Sequence, residues 1–244
     1  MKIIRIIHTL IIALWLVISF IIGSIIVFTL SLFSKHKANW FHSTGSIWAR
    51  LLLFVAGTRV SVRGLKNIDP KKTYILASNH QGIIDIPILD GYFPLQFKFI
   101  IKKELFKVPF FGWYIRKCEY LAIDRIAARS AKQTLNEAVN VLSGGTSILI
   151  FPEGTRSRDG KLGSFKSGIA DIYLKSKVPV LPIAISGSYE TFRRGSRLYY
   201  PKPIKISIGK PLEFNYDPND RESLAKITED LKIRITEQFN NLSR

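Results

Sequence analysis

The sequence has a single cysteine, Cys118, and four histidines in 244 residues. That excludes an internal disulfide framework and any Cys/His cluster of zinc-finger spacing. Acidic residues are also scarce: 18 Asp and Glu stand against 36 Lys and Arg, for a net charge of +18. The excess points to an anionic partner, whether nucleic acid, phosphorylated metabolite or acidic membrane. Two catalytic signatures are missing. Gly154 and Gly160 enclose five residues and Lys161 is followed by Leu162, so no phosphate-binding P-loop is present, and no G-x-S-x-G nucleophile elbow occurs. Nor is there an internal repeat or a low-complexity linker, and with 47% hydrophobic residues the chain has enough apolar material for one sizeable core.

What is present begins with an uneven distribution of charge. Residues 1–57 hold five basic residues (Lys2, Arg5, Lys35, Lys37, Arg50) and no acidic one. Residues 9–33 are 25 positions without a formal charge, long enough at about 1.5 Å per residue to cross a hydrocarbon layer of roughly 30 Å. The stretch is longer than the apolar region of a cleaved leader, and no small-x-small site precedes Lys35. A second apolar stretch, residues 40–57, is broken by His42 and Arg50 and makes a poor span by itself. One true span and a two-helix hairpin seated in one leaflet are both open. Trp15, Trp40 and Trp48 suit an interfacial position and equally suit ordinary packing.

The expected organisation is therefore an N-terminal hydrophobic two-helix membrane-anchoring segment, 1–57, followed by an α/β domain, 58–244. Beyond Gly57, short β-rich runs lie at 59–63, 73–78, 96–101, 119–123, 146–151, 178–185 and 203–208, with helical stretches between several of them. The helix at 126–142 puts Ala131, Leu135, Ala138 and Leu142 on one face and ends at Gly144 and Gly145; that at 221–240 repeats Leu224, Ile227, Leu231 and Ile235 as a core stripe. The alternation predicts an α/β fold, a mixed sheet covered by helices.

Three of the four histidines sit in or beside the apolar N-terminus, so a histidine base in the α/β domain has to be His80. It follows the strand-like 74–78 run, and Asp85 lies five residues on. A tight turn through Gly82 brings that carboxylate back to the imidazole, fixing its tautomer and raising its basicity; the same pair also suits a plain turn or helix cap. A second cluster follows the apolar run 147–150. There Gly154 and Gly160 can expose backbone N–H groups beside Arg156, Arg158, Lys161 and Lys166, which makes a phosphate cradle or, more simply, a solvated basic loop.

The two clusters together resemble the glycerolipid acyltransferases, in particular the bacterial 1-acylglycerol-3-phosphate type, over about residues 74–190. Asn79, His80 and Asp85 match the family's N-H-x4-D motif, and residues 151–157 match F-P-E-G-T-R-S in full. Lys103, Leu105, Pro109 and Gly112 resemble its K-x-L-x3-P-x2-G stretch, Ile123-Asp124-Arg125 the end of its second motif, and residues 178–184 its fourth. Glu119 departs from the pattern, standing where many members have glycine, so the backbone there is the point to inspect.

The resemblance implies metal-free transfer of an acyl chain from acyl-CoA or acyl-carrier protein to the 2-hydroxyl of lysophosphatidic acid, giving phosphatidic acid, with no bound cofactor. His80 is then the general base and Asp85 its orienting partner. Lys103, Arg125 and Arg156 are candidates for the acceptor phosphate. Asn79, Gly154 and Thr155 bind or orient substrate, and Glu153 holds an acceptor hydroxyl or Arg156. Cys118, with no histidine near it in sequence, reads as a structural thiol. The lipid acceptor and anionic bilayer surface imply a cell-membrane location on the cytoplasmic face. Glycerol 3-phosphate, a lyso-ornithine lipid and a lysophospholipid remain alternative acceptors. A membrane-tethered anionic-ligand binding protein is the non-enzymatic alternative; it leaves the co-occurrence of the two motif sets unexplained, and nucleic acid is not an expected partner.

Overall fold

The structure, a computed structural model, describes residues 2–33, 37–124, 126–193, 195–217 and 222–243. Two helices come first, α1 (Lys2–Ser31) and α2 (Lys37–Val55). The remainder alternates: β1 (Val60–Arg63), β2 (Ile75–Ser78), α3 (Asp85–Tyr92), β3 (Phe97–Lys102), α4 (Phe111–Lys117), β4 (Leu121–Ile123), α5 (Ala128–Ser143), β5 (Ser147–Ile150), α6 (Gly168–Ser176), β6 (Val180–Ser186), the single turn α7 (Ser188–Thr191), β7 (Ile204–Ile208) and α8 (Ser223–Ser243). All seven β-rich runs become strands of one sheet, in the order β1-β7-β6-β2-β5-β3-β4. Only the β6–β7 pair is antiparallel.

The central strands are apolar on both faces, as a strand covered on both sides must be. In β2, Leu76 points into one layer while Ile75 and Ala77 point into the other. The first layer is closed by Leu53 of α2, Ile88 and Leu89 of α3 and Ile115 of α4. The second is closed by Ala138 and Leu142 of α5, Ile169 and Ile172 of α6 and the Ile227, Leu231 and Ile235 stripe of α8. The chain thus leaves β2 toward one face, through α3, and leaves the adjacent β5 toward the other, through α6. A crevice at the carboxyl ends of two such strands is where α/β sheets place their ligands.

The first two helices lie on the α/β domain. α1 is long and apolar enough by length and composition to cross a membrane, and α2 does not meet that test. Yet α1 touches the domain along most of its length. Near its start the Arg5 guanidinium stacks over Tyr200 at 4.6 Å and the Thr9 hydroxyl accepts the Tyr199 N–H at 3.0 Å. Further along, Phe20 meets Phe111 at 5.9 Å and Phe28 meets Trp113 at 5.6 Å between ring centroids. From Arg5 to Phe28 is about 35 Å of helix. α2 is fastened to both neighbours: the Trp48 indole donates to Ser19 of α1 at 2.9 Å, and the Arg50 guanidinium donates to the Gly91 carbonyl of α3. Leu53 and Phe41 of α2 are fully buried, so the division at residue 57 separates two parts of one packed body.

A buried polar group sits in this interface. The carboxylate of Asp90 on α3 lies 3.7 Å from His42 Nδ1 of α2, which is 3.0 Å from the Tyr120 hydroxyl, and Tyr114 and Cys118 line the same space. Burial pushes the Asp90 carboxyl up to about 7 and depresses the His42 imidazole to about 4.

Two outcomes follow from this packing. Residues 58–244 expressed alone should lose the cooperative thermal transition of the full chain, because Leu53, Leu52 and Ala56 are withdrawn from the core; a sharp transition at the full-length temperature would contradict it. The Asp90 carboxyl, raised in the folded state, favours folding while protonated and loses that advantage as pH rises from about 4 to about 7. Asp90→Asn should therefore match the parent at pH 4 and exceed it by up to about 4 kcal/mol above pH 7, in paired denaturant titrations.

Candidate active site

β2 is fully buried and delivers its carboxyl end, Asn79 and His80, into the crevice. Asn79 continues the sheet with its side chain: its Nδ2 donates to the Ile185 carbonyl at 2.9 Å and its Oδ1 accepts the Ile185 N–H at 2.7 Å. This pins the residue before His80 to β6. The chain then turns, and the Asp85 N–H returns to the Gly82 carbonyl at 3.3 Å. Asp85 opens α3, where a carboxylate is favoured by the helix dipole. Its Oδ2 accepts the N–H groups of Gln81 (2.6 Å) and Gly82 (2.8 Å) and lies 2.8 Å from His80 Nδ1. An oxygen already accepting two N–H bonds receives the third in the same role, so Nδ1 carries a hydrogen, and the neutral tautomer this selects has its lone pair on Nε2.

The second motif closes over the first. His80 donates its backbone N–H to Glu153 Oε1 at 2.7 Å, and its carbonyl accepts the Ser157 N–H at 2.9 Å. The Phe151 ring stacks on the imidazole, 4.0 Å between centroids and 16° from parallel. His80 is thus fixed by its N–H, its C=O, Nδ1 and one ring face, while Nε2 makes no hydrogen bond to any described residue.

Of the two roles expected of Glu153, pairing with Arg156 is not the one the structure shows. Its second oxygen, Oε2, accepts the Gly163 N–H at 2.8 Å, so both carboxylate oxygens hold backbone, and among the described residues it forms no ion pair with Arg156. Burial pushes its carboxyl pKa up, and the His80 and Gly163 N–H donors oppose that shift. It staples the 160s loop to the His80 turn. Gly154 has φ +68°, and a Cβ there would come within 2.9 Å of the Lys166 stem. Lys166 therefore borders the site, which the sequence signalled only as one of several basic residues in the loop.

The remaining expected residues gather at the carboxyl edge shared by the parallel strands β2, β5 and β3. Thr155 is exposed and Arg156 half-buried in the loop after β5; Lys103 is exposed in the 3-10 turn Lys103–Lys107 that follows β3. Arg125 lies outside the described residues. Glu119, the departure from the family pattern, has φ 55°. It ends α4 in a left-handed cap, with Tyr120 N–H bonded to the Ile115 carbonyl at 3.1 Å and Glu119 N–H to that of Arg116 at 3.0 Å, a position where glycine carries no steric penalty. Cys118 is buried among Phe41, Val27 and Trp113, and burial raises its thiol pKa far above the usual range, which disfavours the thiolate a nucleophile needs. No group of three or more metal-ligating side chains occurs among the described residues.

Against known proteins, the sequence profile of a family described as Acyltransferase matches residues 59–186. The 1-acyl-sn-glycerol-3-phosphate acyltransferase of Pseudomonas aeruginosa is 33% identical, over 94% of this chain and 86% of its own length. The chloroplastic enzyme of the same name from Arabidopsis thaliana is 31% identical over 83% of this chain; this chain spans 57% of its length and 53% of that of a Brassica napus relative. The crystal structure of the 1-acyl-sn-glycerophosphate acyltransferase from Thermotoga maritima superposes with a TM-score of 0.82 at 30% identity, covering 97% of both chains.

The double role of Glu153 can be checked directly. Glu153→Gln presents an amide N–H₂ to one of two backbone donors, and the unsatisfied group should lower stability by about 1–3 kcal/mol in denaturant titrations. Displacement of His80 should reduce the turnover number by about 10–100-fold, as misplacement of a catalytic group by an ångström does.

Proposed function

The chain belongs to the Acyltransferase family, and from that premise we propose that it transfers an acyl chain from a thioester to the 2-hydroxyl of 1-acylglycerol 3-phosphate, forming phosphatidic acid. The observation that carries the reading is the imidazole of His80, held at Nδ1 by Asp85 at 2.8 Å with Nε2 left open. Its motif context and the names of the relatives support the choice of acceptor.

The chemistry follows from that geometry. An alcohol is a poor nucleophile at neutral pH, so Nε2 takes the hydroxyl proton as the oxygen attacks the thioester carbonyl. Asp85 stabilises the imidazolium formed. When the tetrahedral adduct collapses, the C–S bond breaks, the ester remains, and the imidazolium returns its proton to the departing thiolate. No acyl-enzyme is needed, in keeping with the buried Cys118. The acceptor phosphate is held by Arg156 and Arg125, whose guanidinium groups can bind phosphate oxygens bidentately, and by the ammonium of Lys103 as a point charge. Acyl-CoA and acyl-carrier protein both suit the basic surface.

The enzyme works at the cytoplasmic face of the cell membrane. α1 lies flat on the α/β domain from Arg5 to Phe28, and a helix so held cannot stand across a bilayer without drawing the domain in with it. Its outward stripe, Ile11, Ile18, Ile22 and Ile25 among others, is exposed. The one-leaflet arrangement of α1 and α2 is thereby favoured over a true span, with residues 58–244 carrying the chemistry.

Full-length protein in detergent, given lysophosphatidic acid and either donor, should release thiol and form phosphatidic acid in equal amounts. His80→Ala should lower the turnover number by about a thousandfold, within the usual range for a general base, with KM for the acceptor little changed. Wild-type activity in His80→Ala would refute the mechanism, and turnover only with other acceptors would move the substrate assignment.

A further inference from the structure

The loop between β3 and α4 holds apolar side chains in water that the fold does not use. Leu105, Val108 and Phe110 are 36%, 43% and 60% exposed. Isolated exposed hydrophobics are ordinary; three within six residues on a stiff loop are not. The loop is stiff because its backbone is locked. Val108 N–H bonds the Leu105 carbonyl (3.2 Å), Gly112 N–H bonds that of Val108 (2.7 Å), and the Arg116 guanidinium donates to the Phe106 carbonyl. A Cβ on Gly112 would lie 2.2 Å from the Phe106 oxygen, so the two backbone segments touch.

At the tip the Phe111 N–H bonds the Pro109 carbonyl at 2.6 Å, and Phe110 between them has φ 58° and ψ −53°. This is a γ-turn of the rare, strained hand, an outlier for a bulky residue. Strain of this kind persists where the surroundings enforce it, and here it presents a benzyl group to solvent. Among the described residues Phe110 makes no aromatic ring contact, whereas Phe111 beside it packs on Phe20 of α1. The tip therefore adjoins the apolar helix that the proposed function lays on the membrane. Its surroundings are cationic: residues 102–117 contain Lys102, Lys103, Lys107, Arg116 and Lys117 against Glu104 alone.

We propose that residues 105–111 form a second membrane-inserting element, a wedge whose Phe110, Val108 and Leu105 enter the acyl region of an anionic bilayer while the surrounding lysines meet its phosphate headgroups. The inference rests on the membrane placement proposed above and extends it to the catalytic domain. Lys103, the first residue of the turn that carries the wedge, is thereby set at headgroup depth, where the phosphate of a lipid acceptor lies. The wedge accordingly couples bilayer insertion to capture of the acceptor phosphate.

The test uses full-length protein and vesicles of phosphatidylcholine with phosphatidylglycerol. Because Cys118 is buried, an environment-sensitive dye can be placed on Phe110→Cys and, as a control on the opposite layer, on Lys132→Cys of α5. Nitroxide-bearing lipids should quench the dye at 110 and leave that at 132 unchanged. Phe110→Gly relieves the backbone strain, so it should not lower the melting temperature, yet it should weaken vesicle affinity about tenfold and raise KM for vesicle-borne acceptor at unchanged turnover number. Vesicle binding with equal quenching at 110 and 132, or Phe110→Gly binding like the parent, would overturn the wedge and leave the α1 placement standing. Failure of the full-length protein to sediment with vesicles would overturn both.

Discussion

One oxygen atom organises the site. Asp85 Oδ2 gathers the Gln81 and Gly82 N–H groups and the His80 imidazole within 2.8 Å, so the turn and the orientation of the imidazole are one interaction. Hydrogen bonds to a charged acceptor contribute about 1.5–3 kcal/mol each, and removing the acceptor leaves buried donors behind. The five-residue spacing between His80 and Asp85 follows from this geometry: shorter, and the carboxylate cannot return past the turn; longer, and α3 no longer begins on it. Everything else in the crevice, from the Asn79 clasp on β6 to the Phe151 platform, positions the two ends of that turn.

Much of this was legible in the chain, and for identifiable reasons. The strands showed because apolar runs bounded by turn residues have few alternatives, and the stripes of α5 and α8 because their periodicity is clean. The His80 and Asp85 juxtaposition showed because both ends lie within one short turn. Glu153 was harder to read. A carboxylate beside arginines suggests an ion pair, and nothing local says that its partners will be the N–H groups of His80, 73 positions earlier, and Gly163, ten later. Composition likewise marks α1 as membrane-length and cannot tell that Tyr199, Tyr200 and Trp113, from distant segments, will lie beneath it. Glu119 illustrates the converse: a single residue out of pattern marked a backbone position to inspect, and the structure has a left-handed cap there.

The apolar helices and the catalytic layer share one core. Leu52 and Leu53 of α2 pack with Ile88 and Leu89 of α3, the helix whose first residue is Asp85. With the hairpin seated on lipid as proposed, the shared core would also fix the height of the crevice above the bilayer and turn the basic residues along the same edge toward the headgroup region. For the proposed reaction, which joins a water-borne thioester to a lipid-borne alcohol, such a rigid spacing between bilayer and base would replace the freedom of a tether.

The pieces of the site are also separated in time. A chain emerging from the ribosome presents α1 and α2 first, then His80 and Asp85, whereas Glu153, Gly163 and the Ile185 backbone that clasps Asn79 follow only after another 70 to 100 positions. Domains fold as units as synthesis proceeds, so in an incomplete chain α1 and α2 are complete while the imidazole still lacks both the staple and the clasp. Order of synthesis therefore separates completion of the two helices from completion of the site, and a truncated product lacking β6 would carry the His80 turn without the clasp that holds Asn79.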